Sequence, residues 1–535
     1  MGCGYLNLVL HAHLPYIRHP EHDYFLEENW LYEAVTECYI PLLDVFDNLL
    51  NDDVDFRITF SLSPALVEMF NDALLRERCL RHINNLIELS EKEMLRTRGD
   101  ASFGPLAKIY NDRFRRIKSL YEKSYKKDLT SAFRKLKDTG KVELMTCAAT
   151  HAYLPAFSMY PNAVRAQIKV ATDSHIRNFG SPPAGMWLPE CGYYPGVDGL
   201  LKETGIKFFF IETHGILNGT PMPRYGVYRP VSCPSGVVAF GRDRESSKQV
   251  WSSREGYPGD AVYRDFYRDI GFDLPPDYIK PYIHPDGIRI PTGIKYYRIT
   301  GKTDYKMPYV REQALNKAAE HAENFMLNRN RYVEFLNNTA GFKPVITAPY
   351  DAELFGHWWF EGPDWLNFVL RKAAGNQKMF RTIAPSEYLN ENPELQCVNP
   401  SFSSWGHRGY SEVWLGGSNN WIYRHLHKTA ERMTELANMF PHANGLLKRA
   451  LNQAARETLL SQHSDWAFIM KTGTGSEYAA KRIAGHNDRF NKLYSSAKTG
   501  AINELWLSEI ESEDKIFDRI DYRVYSANES SLSKG

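Results

Sequence analysis

Pro344-Val345-Ile346-Thr347-Ala348-Pro349-Tyr350-Asp351-Ala352-Glu353-Leu354-Phe355-Gly356-His357-Trp358-Trp359 runs from an apolar, β-branched stretch into two acids framed by aromatic residues and a glycine. A short apolar run bounded by turn residues is a strand signal, and here the acids follow the strand directly. Met186-Trp187-Leu188-Pro189-Glu190-Cys191-Gly192-Tyr193-Tyr194-Pro195-Gly196 repeats the pattern earlier in the chain. Further strand signals lie at 6–11, 56–61, 142–146, 208–211 and 237–240, with helical spacing between several of them, as at 163–178 and 311–337. Alternation of strands and helices predicts a parallel α/β core. Chemistry-bearing residues just past successive strands point to a barrel, whose sites gather at the C-terminal strand ends. An open doubly wound sheet is the alternative, but no GxGxxG follows any of these strands.

Outward from that core the chain changes character twice. Residues 76–137 are charged and helical, which predicts a helical insertion with a solvated face. Residues 242–293 are rich in Gly, Pro, Tyr and charge and form a long irregular stretch, read as an ordered loop over the pocket. Beyond Pro400, helical periodicity at 421–439, 446–462 and 476–495 predicts an α-helical C-terminal domain. The expected division is a catalytic barrel over 1–398, a helical domain over 399–527 and a flexible tail at 528–535.

Composition narrows the function class. Lys plus Arg total 65 against 64 for Asp plus Glu, so no bulk field draws the chain to nucleic acid or an anionic membrane. A neutral polymer needs no such field. The seven cysteines (Cys3, Cys38, Cys79, Cys147, Cys191, Cys233 and Cys397) are scattered without CxxC spacing, which favours a reducing cytoplasm over a disulfide framework or a zinc site. The apolar start at Tyr5 lacks a basic n-region and reads as a buried strand. No run reaches the length of a membrane span.

Two carboxylates on the rims of a pocket are the minimum equipment for cleaving or transferring a glycosidic bond. Glu190 is a candidate nucleophile, with helix capping as its structural alternative. The apolar frame around Asp351 disfavours its charged form and suits a general acid, with Glu353 as the rival in the same motif. Alternation puts His11 and His13 on one side of an extended backbone. Three readings stand for them: bonds to sugar hydroxyls, two ligands of a metal, or satisfied polar groups at a strand end. His151 follows another strand and small residues that permit close approach of a substrate. Trp405, in a Gly-bearing loop, is a candidate stacking wall, and Asp465 can reach into the same cleft. Tyr257, flanked by Gly and Pro, is read either as part of a lid or as a surface turn. A metal-dependent hydrolase built on His11, His13 and a carboxylate is the rival enzyme class.

Five motifs in order then add a resemblance that covers nearly the whole chain: HAHLPY at 11–16, ATHAYLP at 149–155, WLPECGYYPG at 187–196, APYDAELFGHWWFEGP at 348–363 and SSWG at 403–406. Together they resemble glycoside hydrolase family 57. The resemblance implies an incomplete (β/α)7 barrel with helical insertions and an α-helical C-terminal domain, with Glu190 as nucleophile and Asp351 as general acid/base. It implies substrate contacts by His11, His13, His151, Trp405 and Asp465, and more distantly by Arg268 and Gly287 in the loop. No metal and no cofactor is implied. The implied activity is a retaining 1,4-α-glucan branching enzyme acting on amylose, glycogen or maltooligosaccharides. An α-amylase or 4-α-glucanotransferase shares the same pair, and a non-catalytic glucan-binding protein is the alternative from another class.

Overall fold

The computed structural model describes residues 3–252, 254–375 and 379–526, so the expected tail at 528–535 lies outside the described residues. Its centre is a curled sheet. Strands β1 (Gly4–Ala12), β2 (Ile58–Leu62), β3 (Val142–Cys147), β4 (Gly185–Trp187) and β5 (Phe208–Ile211) are joined by β6 (Val231–Ser232), β7 (Val238–Gly241), β8 (Val345–Asp351) and β9 (Phe380–Thr382). The order is β6-β7-β5-β4-β3-β2-β1-β8, with β9 also on β1. All pairings are parallel except β6 with β7. The two ends of the sheet meet through two backbone bonds, Asp243 N–H to the Thr347 carbonyl (2.8 Å) and Val345 N–H to the Tyr228 carbonyl (2.9 Å). The sheet therefore curls almost to closure, as the incomplete barrel requires.

Period-2 alternation sorts the strand side chains. Leu6, Leu8 and Leu10 pack outward into the large core shared with the helices, whereas Tyr5 and Val9 belong to a second cluster with Trp187, Phe208, Phe210, Phe240 and Val345. That second cluster fills the inside of the curl, so the barrel interior is packed and the site has to sit at its mouth.

The strands at 231–232 and 380–382 carry too few residues for a sequence signal, and the other seven fall within a few residues of expectation. The charged stretch forms the helices Ala73–Arg96, Phe103–Ser119 and Leu129–Asp138. The irregular segment is ordered by one buried carboxylate: Asp269 accepts from the N–H groups of Gly271, Thr292 and Gly293 and from the Thr292 hydroxyl, all at 2.8–2.9 Å. In the C-terminal part, helices Tyr423–Met439, Gly445–Ser461 and Ser476–Thr499 match the periodic stretches, and a further helix, Ser464–Thr472, carried no such signal. No helix among the described residues is long and apolar enough to cross a membrane.

Candidate active site

Strand register alone lines up three polar residues at the mouth of the curl. His11 of β1 lies opposite Ser61 of β2 on one side and Asp351 of β8 on the other. The turns after β3 and β4 add His151 and Glu190, both in a backbone conformation that L-residues rarely adopt: φ is 56° at His151, 62° at Glu190 and 49° at Cys191. Such residues cost on the order of 1–3 kcal/mol each and cluster where function over-determines the backbone.

The 403–405 loop is pinned beside Glu190 by short strand-like pairing. Tyr193 N–H donates to the Ser403 carbonyl (2.9 Å), and Trp405 N–H donates to the Glu190 carbonyl (2.9 Å). The Trp405 indole N–H then donates to Glu190 Oε2 at 2.6 Å, and its ring meets Trp187 edge-on with centroids 5.2 Å apart. The other carboxylate oxygen, Oε1, takes the Ser464 hydroxyl at 2.7 Å.

An ionised Glu190 only accepts, and this fixes every polarity behind it. Ser464 spends its one proton on Glu190, so it accepts from His151 Nδ1–H (2.8 Å). His151 Nε2 then accepts from His11 Nε2–H (3.0 Å), and His11 Nδ1 accepts from the Ser61 hydroxyl (3.1 Å). Five residues thus form one directed chain whose dipoles point at Glu190.

A second branch runs parallel to it. His13 is held by the Ser63 hydroxyl (2.9 Å) and Asp465 Oδ2 (2.8 Å), and its ring stacks on His151 with centroids 3.7 Å apart. Glu353 accepts from the His13 backbone N–H (3.1 Å) and from the Tyr39 hydroxyl. Asp351 makes no hydrogen bond to another described side chain and is partly open to solvent. Glu190, Glu353 and Asp465 are thus held by hydrogen bonds, and Asp351 is not.

The electrostatics complicate the simple expectation that Glu190 stays ionised while Asp351 is raised. Burial pushes Glu190 up to about 8, with the Asp465 charge adding to it and the Ser464 and Trp405 bonds opposing. Burial also lifts Asp351 to about 6, against the pull of Arg242 and His13. Arg242 is held by Glu212 (3.1 Å) and lies 5.6 Å from the centre of the Trp405 ring. Burial lifts Glu353 to about 8 against the Tyr39 bond. At Asp465 burial raises the carboxyl, but His13 and His463 outweigh it and hold the group well below the usual range. Burial therefore brings both carboxyls toward neutrality. The hydrogen bonds distinguish them: Glu190 has two donors for its anion, and Asp351 has none among the described residues.

His11, Cys147 and His151, and separately His13, His151 and Asp465, are close enough to tempt a metal assignment. The rings argue against it. His13 and His151 are 10° from parallel and stacked, so their lone pairs run side by side instead of converging on one ion. Their outward nitrogens are already committed to Ser63, Asp465, Ser464 and His11.

His11, His13, His151, Glu190, Asp351, Trp405 and Asp465 are therefore brought together, and three expected residues are not. Tyr257 is 9% exposed, with its hydroxyl on Asn324 (2.8 Å) and its ring on His321, which makes it packing against the helix Arg311–Ala340 and corrects the lid expectation. Arg268 pairs with Asp273 (3.0 Å) and lies over Tyr297. Gly287 (φ 80°) closes a tight turn on His284. Ser464, Ser61, Arg242 and Tyr39 had no sequence signal: a hydroxyl before a helix reads as a cap, and lone polar residues near strand ends are common.

The model of glycosyl hydrolase family 57 matches residues 7–399, and that of the 1,4-alpha-glucan branching enzyme C-terminal region matches 425–525. A 1,4-alpha-glucan branching enzyme of Thermococcus kodakarensis is 33% identical over 96% of this chain and 77% of its own. The solved structure of the alpha-amylase AmyC from Thermotoga maritima superposes with a TM-score of 0.92 at 45% identity, over 98% of this chain and 99% of that one. The branching enzyme from Pyrococcus horikoshii superposes with a TM-score of 0.88 at 33% identity, over 98% and 97%.

Proposed function

Because the chain belongs to glycosyl hydrolase family 57, we propose that Glu190 and Asp351 are the catalytic pair of a retaining 1,4-α-glucan branching enzyme. The observation that carries branching is the match of 425–525 to the branching-enzyme C-terminal region, because this same segment supplies Ser464 and Asp465 to the site.

In the first step Asp351 gives its proton to the oxygen of an α-1,4 bond as Glu190 Oε attacks C1. The C1–O bond breaks, a glycosyl-enzyme ester forms and the shortened chain leaves with the proton. In the second step the Asp351 carboxylate takes the proton of an incoming 6-hydroxyl, whose oxygen displaces Glu190 and makes the α-1,6 branch. What supports this division of labour is the contrast in fixation. A nucleophile must be held on line, and Glu190 has the Ser464 and Trp405 clamps. A group that serves first as acid and then as base needs room, and Asp351 is unclamped. His11, His13, His151, Trp405 and Asp465 line the sugar subsite beside Glu190. Seven free thiols suit a reducing cytoplasm, where amylose-like chains and glycogen are its substrates.

A second reading, hydrolysis with water as acceptor, is favoured by one observation, the likeness to an alpha-amylase at 45% identity. Both outcomes pass through one intermediate. Incubation with amylose, following α-1,6 linkages by proton NMR beside reducing ends, separates them. New branches with few reducing ends support branching; reducing ends without branches replace it with hydrolysis.

A further inference from the structure

The turn that follows the catalytic strand leaves a large aromatic side chain in water. Trp358 is 54% exposed although its neighbour Trp359 is 1% exposed. A lone exposed aromatic needs no explanation, but a cluster of them on one surface does. Trp358 is not loose, however. It stacks on Phe266 from the irregular segment, with centroids 4.3 Å apart and planes 21° apart, and Tyr267, 80% exposed, stands edge-on to Phe266 at 5.2 Å.

The support beneath this pair is built from buried charge. His357, the residue before Trp358, bonds Glu37 at 2.6 Å, and its ring meets both Phe266 and Trp358 edge-on. Burial raises the Glu37 carboxyl, but the His357 bond and the charges of His357, Lys295 and Arg264 bring it down to about 2. Lys295 Nζ in turn lies 4.3 Å from the Phe266 ring centre and bonds the Phe266 carbonyl at 2.6 Å. Gly356 (φ 104°) lets the turn pass against the Glu37 backbone, where a side chain would collide. Two separate segments thus hold Trp358 with one face packed on Phe266 and about half of its surface in water.

Chain geometry ties Trp358 to the site. Trp358 N–H bonds the Glu353 carbonyl at 3.3 Å, which keeps its Cα within roughly 15 Å of that of Asp351, by chain geometry. That distance is within reach of a short oligosaccharide. The turn that carries Trp358 is the continuation of the strand that ends in Asp351. In the proposed mechanism the leaving chain and the incoming hydroxyl both exchange a proton with Asp351. We propose that the open face of Trp358, backed by Phe266 and with Tyr267 at the edge, forms an acceptor subsite on which a sugar ring of a second α-glucan chain stacks. The C–H faces of glucose suit an open indole face, and a neutral ligand needs no counter-charge there. This inference rests on the transferase reading, since a pure hydrolase needs no such subsite.

The experiment measures, on amylose, α-1,6 linkages formed per reducing end released by the unaltered protein and by Trp358→Ala, Trp358→Phe and Phe266→Ala, with thermal unfolding to establish folding. The expected result is a fall of at least fivefold in that ratio for Trp358→Ala, a smaller fall for Trp358→Phe and a fall for Phe266→Ala. Tyr305→Ala, at another exposed aromatic, serves as the control and keeps the ratio. An unchanged ratio in folded Trp358→Ala overturns the subsite, as does an equal fall in Tyr305→Ala. If the unaltered protein makes no branches, the branching reading fails on its own. The platform is then judged by α-1,4 transfer to added maltotriose, and no loss of that transfer in Trp358→Ala overturns it.

Discussion

The Ser464 hydroxyl donates to Glu190 Oε1 at 2.7 Å, joining two residues 274 positions apart in the chain. The bond crosses from the helical C-terminal part into the turn after β4. It makes the proposed nucleophile dependent on a segment that the barrel does not contain.

Loss of that hydroxyl is therefore expected to be felt in chemistry. A hydrogen bond to a charged group contributes about 1.5–3 kcal/mol, or roughly 10- to 100-fold in rate. Ser464→Ala should lower kcat by that range with a smaller change in KM, and Ser464→Thr should restore part of it. Steady-state kinetics on amylose check this. A Ser464→Ala enzyme with unaltered kcat would remove Ser464 from the positioning of Glu190.

The pH profile follows from the two raised carboxyls. The proposed roles need Glu190 ionised and Asp351 protonated, so kcat/KM should be bell-shaped, with limbs near about 6 and about 8. Asp465 raises both carboxyls, so Asp465→Asn should move both limbs to lower pH. Loss of the Ser464 bond acts the other way on Glu190: the upper limb should rise while the maximum falls.

Trp405 carries two roles that substitution can separate. Trp405→Phe keeps an aromatic face but removes the indole N–H on Glu190. It should reduce kcat by roughly tenfold or more, the lower end of the about 1.5–3 kcal/mol that a charged hydrogen bond contributes. Trp405→Ala should raise KM as well, because the stacking wall is lost.

Asp351 and Glu353 are both half-buried acids in one motif, and they should differ in kind. With an α-maltosyl fluoride, whose leaving group needs little acid assistance, Asp351→Asn should retain formation of the glycosyl-enzyme while its rate on amylose falls by at least a hundredfold. Glu190→Gln should form no covalent intermediate with either substrate, by mass spectrometry. Glu353→Gln should resemble Tyr39→Phe in kinetics, since Glu353 holds His13 and Tyr39 in place.

Chelation should leave the rate unchanged. Stacked His13 and His151 offer no convergent lone pairs, so dialysis against EDTA is expected to preserve activity. A loss restored by zinc would return the histidines to the role of ligands.

How much of this was legible in advance varies by residue. Asp351 and Glu190 announce themselves because each follows an apolar strand directly, and strand ends are where such a fold keeps its chemistry. Ser464 stood in the text beside Asp465 yet reads as an ordinary helix-starting hydroxyl. Tyr257 was misleading for a local reason: Gly and Pro around it mark a turn, but a turn can fold its aromatic inward, here onto His321.

The sequence by itself determined the alternation of strands and helices, the two carboxylates and the aromatic company they keep, because these are properties of neighbouring residues and of period. Only the tertiary structure decided which groups clamp Glu190, how the histidines share their protons and which aromatic faces stay in water. Those depend on contacts across hundreds of residues, such as His13 with Asp465 and Phe266 with Trp358. Burial, which moves the carboxyl pair toward neutrality, is likewise a sum over the whole fold and is written in no single segment of the chain.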